Sequence, residues 1–169
     1  MAMSLDSASR ELCAKLGILV VEDSPPMLRL LSTVLAAMGF QRVMEAAEGD
    51  SALKLVREEK PDIIVTDGAM APMDGYELTR RIRAGGAGED LRDMPILMLS
   101  GHATQQHLDQ ARANGVTDFI AKPITAELLY RCVLAALTNP QHVVEMRNYR
   151  GPSPRRRLEA RHSQNMPEL

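Results

Sequence analysis

Four places in this chain end an abrupt apolar run with a group able to do chemistry. Glu22-Asp23 follows Gly17-Ile18-Leu19-Val20-Val21, and Asp67 closes Asp62-Ile63-Ile64-Val65-Thr66. Ser100 closes Pro95 to Leu99, and Lys122 follows Val116 to Ala121. Each has an ordinary explanation taken singly. Asp67 could cap a loop, Glu22-Asp23 a helix, Ser100 could satisfy loop backbone, and Lys122 could be a surface charge. Together they offer three acids, an ammonium and a hydroxyl. Crowded carboxylates raise one another's pKa unless a cation neutralises them. Carboxylate, carbonyl and water oxygens are the ligands Mg²⁺ prefers. No histidine ends any of these runs, which makes zinc or copper a poor fit. A carboxylate beside Mg²⁺ and an ammonium can attack an electrophilic phosphorus, because both cations stabilise charge on the equatorial oxygens. The Ser100 hydroxyl can then hydrogen-bond a phosphoryl oxygen. An ionised carboxylate is already a nucleophile, so no general base is needed.

The elements between these groups decide whether they meet. The four apolar runs, with Gln41 to Ala46, read as five short strands, buried on both faces where the run is continuous. Gly68 to Gly75, after Asp67, is loop chemistry that cannot continue a strand. Helical spacing marks Met27 to Met38, capped by Ser24 with prolines in the first turn and ended by Gly39. It recurs over Ser51 to Lys60, which Pro61 ends, and over Tyr76 to Ala84, where Leu78 and Ile82 point inward and Arg80, Arg81 and Arg83 are mostly solvated. Thr104 to Asn114, closed by Gly115, and Thr125 to Thr138, capped by Thr125, complete the set. Gly85 to Asp90 follows a helix rather than a strand, so it is a flexible turn and not a phosphate loop. Five strands alternating with five helices argue a parallel α/β sheet with helices on both faces. All strands of such a sheet then emerge on one edge, where ligands bind. The four chemical groups lie on that edge.

The chain's 169 residues suit one domain with a tail, and 45% hydrophobic content with 3% aromatics implies an aliphatic core. A net charge of −2 implies no general attraction to nucleic acid or anionic membrane. Cys13 and Cys132 sit in no metal or redox motif and read as reduced structural thiols, and no apolar run approaches the ~18 residues of a membrane span. A cytoplasmic location is expected. The reading divides the chain into an N-terminal extension (1–15), one α/β domain (16–138) and a basic, flexible tail (139–169). In the extension, Ser7 to Lys15 has some helical character, with a partly ordered leader as the simpler reading. In the tail, six arginines face three glutamates. Gln141 to Asn148 is read as a helical turn or two, and Arg155 to Arg157 as disordered rather than a nucleic-acid contact.

The ordered set Val20-Val21-Glu22-Asp23, Ile64-Val65-Thr66-Asp67, Met73-Asp74-Gly75, Leu99-Ser100-Gly101 and Asp118-Phe119-Ile120-Ala121-Lys122-Pro123 resembles the CheY-like receiver domains of two-component response regulators. The resemblance covers about Lys15 to Leu137. It implies a flavodoxin-like sheet of order 2-1-3-4-5, which CheY exemplifies. It implies that Asp67 accepts a phosphoryl group, that Asp23 ligates Mg²⁺, and that Glu22 is a ligand or acts through water. The Ala69 carbonyl becomes a further ligand, and Lys122, before a cis Pro123, a partner of the phosphoryl group. Ser100 and Phe119 take the place of the switch pair, Ser100 moving toward the phosphate and the ring turning inward behind it. Three features depart from the usual pattern: Glu22 replaces an aspartate, Ala71 stands where the loop proline is usual with Pro72 after it, and Phe119 has no hydroxyl. Ala69 and His102 flank the position where hydrolytic water would arrive, although His102 can equally be a solvated loop histidine.

A receiver of this kind catalyses only its own phosphorylation and dephosphorylation. The implied partners are a sensor histidine kinase or histidine phosphotransfer protein and a downstream protein target, with a phosphorylation-dependent homodimer left open. Residues 104–138 form the expected reading face, with Gln105, Gln106, Asp109, Arg112, Glu127 and Arg131 as candidate contacts. No DNA-binding, catalytic or transmembrane output unit is read after Thr138. Two alternatives stand beside a stand-alone switch: a phosphorylation-independent adaptor, and a receiver fragment of a larger regulator or hybrid kinase.

Overall fold

Five apolar stretches form parallel strands: β1 (Gly17–Val21), β2 (Arg42–Ala46), β3 (Ile63–Asp67), β4 (Ile96–Ser100) and β5 (Asp118–Ala121). Their order is β2-β1-β3-β4-β5, as expected. The computed structural model describes residues 7–139, 143–146, 149–152 and 160–161. β1, β3, β4 and β5 are buried along their whole length, which accounts for their unbroken apolar sequences, while β2 at the sheet margin is mostly exposed or half-buried.

Strand pleating sorts the core onto two faces. Ile18, Val20, Ile63, Val65, Leu97, Leu99 and Ile120 face α1 (Ser7–Lys15), α2 (Pro25–Ala37) and α6 (Ala126–Thr138). Leu19, Val21, Ile64 and Ile96 face α3 (Gly49–Glu59) and α4 (Gly75–Arg83), and Met98 and Phe119 face α4 and α5 (Gln105–Asn114). Among the described residues the α-helices number six rather than five. The extra one is α1, whose Cys13 is fully buried in the core cluster that α2 and α6 also line, so this segment is a docked helix rather than a loose leader.

The helix ends follow the expected punctuation with one exception. Thr104 and Thr125 accept the His107 and Leu128 backbone N–H groups, and Gly115 closes α5 at φ 89°. Ser24 occupies the cap position of α2 but its side chain makes no capping bond. Its backbone N–H donates to Glu22 Oε1 at 3.1 Å, which ties the start of α2 to the buried carboxylate.

Arg83 also departs from expectation. It is 4% exposed, its Nη1 donating to the Arg92 and Met94 carbonyls at 2.7 Å and its Nε to the Gly115 carbonyl at 3.0 Å. Loop carbonyls at the end of α5 and before β4 leave acceptors that a planar guanidinium fits.

The tail is not helical where it is described. Val143–Met146 (β6) pairs antiparallel with Tyr149–Pro152 (β7), consistent with the β-branched Val143-Val144 pair. Ala160–Arg161 (β8) adds a short parallel strand to the β5 edge. Arg150 pairs with Asp93 at 2.6 Å and Arg161 with Asp118 at 3.1 Å. Arg155 to Arg157 lie outside the described residues.

Candidate functional site

The carboxyl ends of β1, β3, β4 and β5 bring Glu22, Asp23, Asp67, Ser100 and Lys122 to one edge of the sheet. Carboxylate oxygens of Glu22, Asp23 and Asp67 lie within 4.8 Å of one another. Glu22 and Asp67 are buried, at 2% and 6% exposure, while Asp23 is exposed. Lys122 reaches over the end of β4, with Nζ 3.2 Å from Asp67 Oδ1 and 3.5 Å from Glu22 Oε2. Burial pushes the Glu22 carboxyl above its ordinary value; the Ser24 N–H pulls it back, Asp67 raises it again, and Lys122 lowers it. Glu22 Oε2 is buried and makes no hydrogen bond.

These residues fit a hard divalent cation. Three anionic oxygens converge around a buried, unbonded oxygen, and one ammonium leaves net negative charge there. Ala69, in the exposed loop two residues past Asp67, is the remaining residue that the resemblance assigned to metal.

The loop after Asp67 is held against it closely. Asp74 caps α4 by accepting the Glu77 N–H at 2.8 Å, and the Gly75 N–H donates to the Gly68 carbonyl. A β-carbon on Gly75 would collide with the Asp67 carbonyl, which explains the glycine after that cap. Both Ala71-Pro72 and Lys122-Pro123 are cis, the second as expected.

The remaining expected residues occupy distinct positions. Ser100 is buried, its Oγ donating to the His102 carbonyl and accepting the His102 N–H, each at 3.1 Å. His102 is exposed, its ring 5.7 Å from that of His107. Phe119 is already fully buried among Met98, Ala111 and Val116. Tyr76, which the sequence reading did not single out, joins that cluster from the first turn of α4. Its place between Gly75 and the inward Leu78 gave no chemical signal. Beside Lys122 an apolar groove of about 350 Å³ is lined by Met27, Leu30, Val34, Pro123, Ile124 and Leu129.

A doubly covered parallel sheet with an acidic pocket at its carboxyl edge and one lysine spanning it defines an α/β domain of the flavodoxin-like class. Residues 18–134 match the response regulator receiver domain family, and the chain belongs to it. Chemotaxis protein CheY-3 of Vibrio cholerae is 36% identical over 112 residues, covering 66% of this chain and 84% of that protein. Sensor protein GacS of Pseudomonas syringae is 34% identical over 127 residues, 73% of this chain but 14% of that protein. Among solved structures, Vibrio cholerae CheY4 superposes with a TM-score of 0.66 at 28% identity, covering 72% of this chain and 98% of that one. The receiver domain of a Syntrophus aciditrophicus signal transduction histidine kinase also gives 0.66 at 28%, covering 78% and 98%. Domains of this family serve two-component signalling, both as CheY-type proteins and within hybrid kinases. Among the described residues no helix is long and apolar enough to cross a membrane.

Proposed function

We propose that this chain is a phosphorylation-dependent switch that takes a phosphoryl group onto Asp67 from a phosphohistidine partner, a histidine kinase or phosphotransfer protein. The observation that carries the reading is the shared ammonium: Lys122 Nζ lies 3.2 Å from Asp67 Oδ1 and 3.5 Å from Glu22 Oε2. Asp67 is thereby oriented at the edge of the sheet beside a fixed positive charge. An oxygen of Asp67 attacks phosphorus as the P–N bond breaks, and the electron pair leaves on the histidine nitrogen. Lys122 and the Ser100 hydroxyl are then in place to bind phosphoryl oxygens. Glu22, Asp23, Asp67 and the Ala69 carbonyl would hold Mg²⁺, whose contribution is to offset charge on the phosphoryl oxygens. The chemistry is confined to the chain's own phosphorylation and dephosphorylation.

The apolar groove beside Lys122 suits the histidine-bearing partner, because it adjoins the acceptor and contains Leu30, which is 56% exposed. The readout face is α5, β5 and α6, where a downstream protein would bind. Incubation with Mg²⁺ and a small phosphodonor, followed by intact mass, tests the reading. The wild type should gain one phosphoryl group and Asp67→Asn none. A wild type that gains no mass would overturn it in favour of constitutive binding.

A further inference from the structure

Phe119 brings no hydroxyl to the switch and is already fully buried, so Ser100 is the member of the pair with a polar group to reorient. Directly in this cluster is another hydroxyl. Tyr76 is 7% exposed and packs with Met98, Ala111, Val116 and Phe119, and its Oη is buried with no hydrogen-bond partner. Leaving a buried phenol oxygen unpaired is costly, so a second arrangement that satisfies it is favoured by that cost. Burial, then the charges of Asp74 and Asp67, push the phenol up, so it stays a protonated donor. The nearby Ser100 hydroxyl partly offsets this. In this arrangement Ser100 Oγ is turned to His102, bonding both its N–H and its carbonyl, and Tyr76 Oη is left without a bond.

We propose that Tyr76 is the positioning residue of the switch: when Ser100 turns from His102 toward the phosphoryl group on Asp67, Tyr76 Oη–H donates to the Ser100 oxygen it vacates. This rests on Asp67 being the phosphoacceptor. The donors and acceptors balance. In the present arrangement the Ser100 O–H donates to the His102 carbonyl and one of its two lone pairs accepts the His102 N–H. In the other, the same O–H donates to a phosphoryl oxygen and the lone pair accepts Tyr76 Oη–H. The move thus exchanges the two His102 bonds for one to the phosphoryl group and one to Tyr76, and it pairs the buried phenol. Because Tyr76 sits on α4 and shares a buried cluster with Ala111 of α5, the exchange also ties the acceptor to a helix of the readout face.

The test uses the full-length chain with Mg²⁺ and beryllofluoride as the phosphoryl mimic, comparing wild type, Tyr76→Phe, Ser100→Ala and the double variant. Without beryllofluoride, Tyr76→Phe should melt no lower than wild type, since the oxygen removed has no partner there. Its beryllofluoride dissociation constant should rise roughly tenfold, the worth of about one hydrogen bond. Added to Ser100→Ala, the same substitution should cause no further loss. Unchanged affinity, an equal loss in both backgrounds, or a fall in melting temperature that tracks the affinity loss would overturn the role of Tyr76. A wild type that does not respond to beryllofluoride overturns the phosphoacceptor reading as well. A responsive wild type beside an unaffected Tyr76→Phe overturns this proposal alone.

Discussion

Lys122 Nζ stands 3.2 Å from Asp67 Oδ1 although the two residues leave the sheet from β5 and β3, with β4 between them. One partly exposed ammonium therefore serves two buried carboxylates, Asp67 and Glu22. Removing it takes away the fixed positive charge next to the oxygen proposed to attack phosphorus, where preorganised charge is worth most. Lys122→Ala should slow phosphorylation by a small phosphodonor on the order of 100-fold. A time course of intact mass reads this directly. A rate close to wild type would remove Lys122 from the chemistry.

Glu22 gives a pH signature. Its folded-state pKa lies above the ordinary value of 4.5, mainly through burial. The stability it contributes is fully present below that ordinary value, is lost as pH rises through the raised folded value, and is constant above it. Glu22→Gln should abolish this fall and leave the chain more stable than wild type at neutral pH in EDTA. Acids that arginine partners hold low, such as Asp93 beside Arg150, slope the other way in both proteins and cancel in the comparison. Urea unfolding from acidic to neutral pH checks the prediction; parallel curves would refute the burial account.

Arg83 joins three loop carbonyls from the end of α4. Replacing it with Leu leaves acceptors without their charged donor, at a cost of about 1 kcal/mol or more for each carbonyl left unsatisfied. Arg83→Leu should destabilise the fold by roughly 3 kcal/mol in urea unfolding. Arg80→Leu, whose partner Glu77 it shares with Arg81 on an exposed face, should change stability by no more than about 0.5 kcal/mol.

These two arginines show where sequence reading stops. Period and punctuation placed every strand from β1 to β5, because a buried strand needs an unbroken apolar run and a turn to end it. They also placed Glu22, Asp23, Asp67, Ser100 and Lys122 on one edge, since parallel pairing leaves all carboxyl ends there. Arg83 carries the same local signal as Arg80, and only the neighbouring turn, distant in sequence, supplies the carbonyls that bury it. Ser7 to Lys15 has weak amphipathic character, and its docking depends on a face built by α2 and α6. Val143-Val144 is β-branched, but its pairing with Gly151-Pro152 is a tertiary choice.

Both cysteines should be inert in the native protein. Burial, then the Asp118 charge, pushes the Cys132 thiol up to about 12, and burial raises that of Cys13. At pH 8 the reactive thiolate of Cys132 is then on the order of 10⁻⁴ of the total. Iodoacetamide should leave the native mass unchanged and add two adducts in urea. A native adduct on either residue would contradict its placement in the core.

Arg161 holds the described end of the tail to the sheet. Its Nε lies 3.1 Å from Asp118 Oδ2, and Asp118 Oδ1 accepts the Phe119 N–H at 3.0 Å, so one carboxylate joins the tail to the β5 backbone. The pairing Phe119↔Ala160 and Ile120↔Arg161 covers the β5 edge. Arg161→Ala removes this ion pair from a two-residue ladder, which is too short to hold firmly by backbone bonds. Amide exchange over residues 116–122 should then rise roughly two- to fivefold, as for a pair worth up to about 1 kcal/mol. Arg150→Ala, which breaks the Asp93 pair instead, should raise exchange in the β6–β7 hairpin and leave β5 as it was. Equal exchange over 116–122 in wild type and Arg161→Ala would show that the β5 edge is protected by something other than this strand.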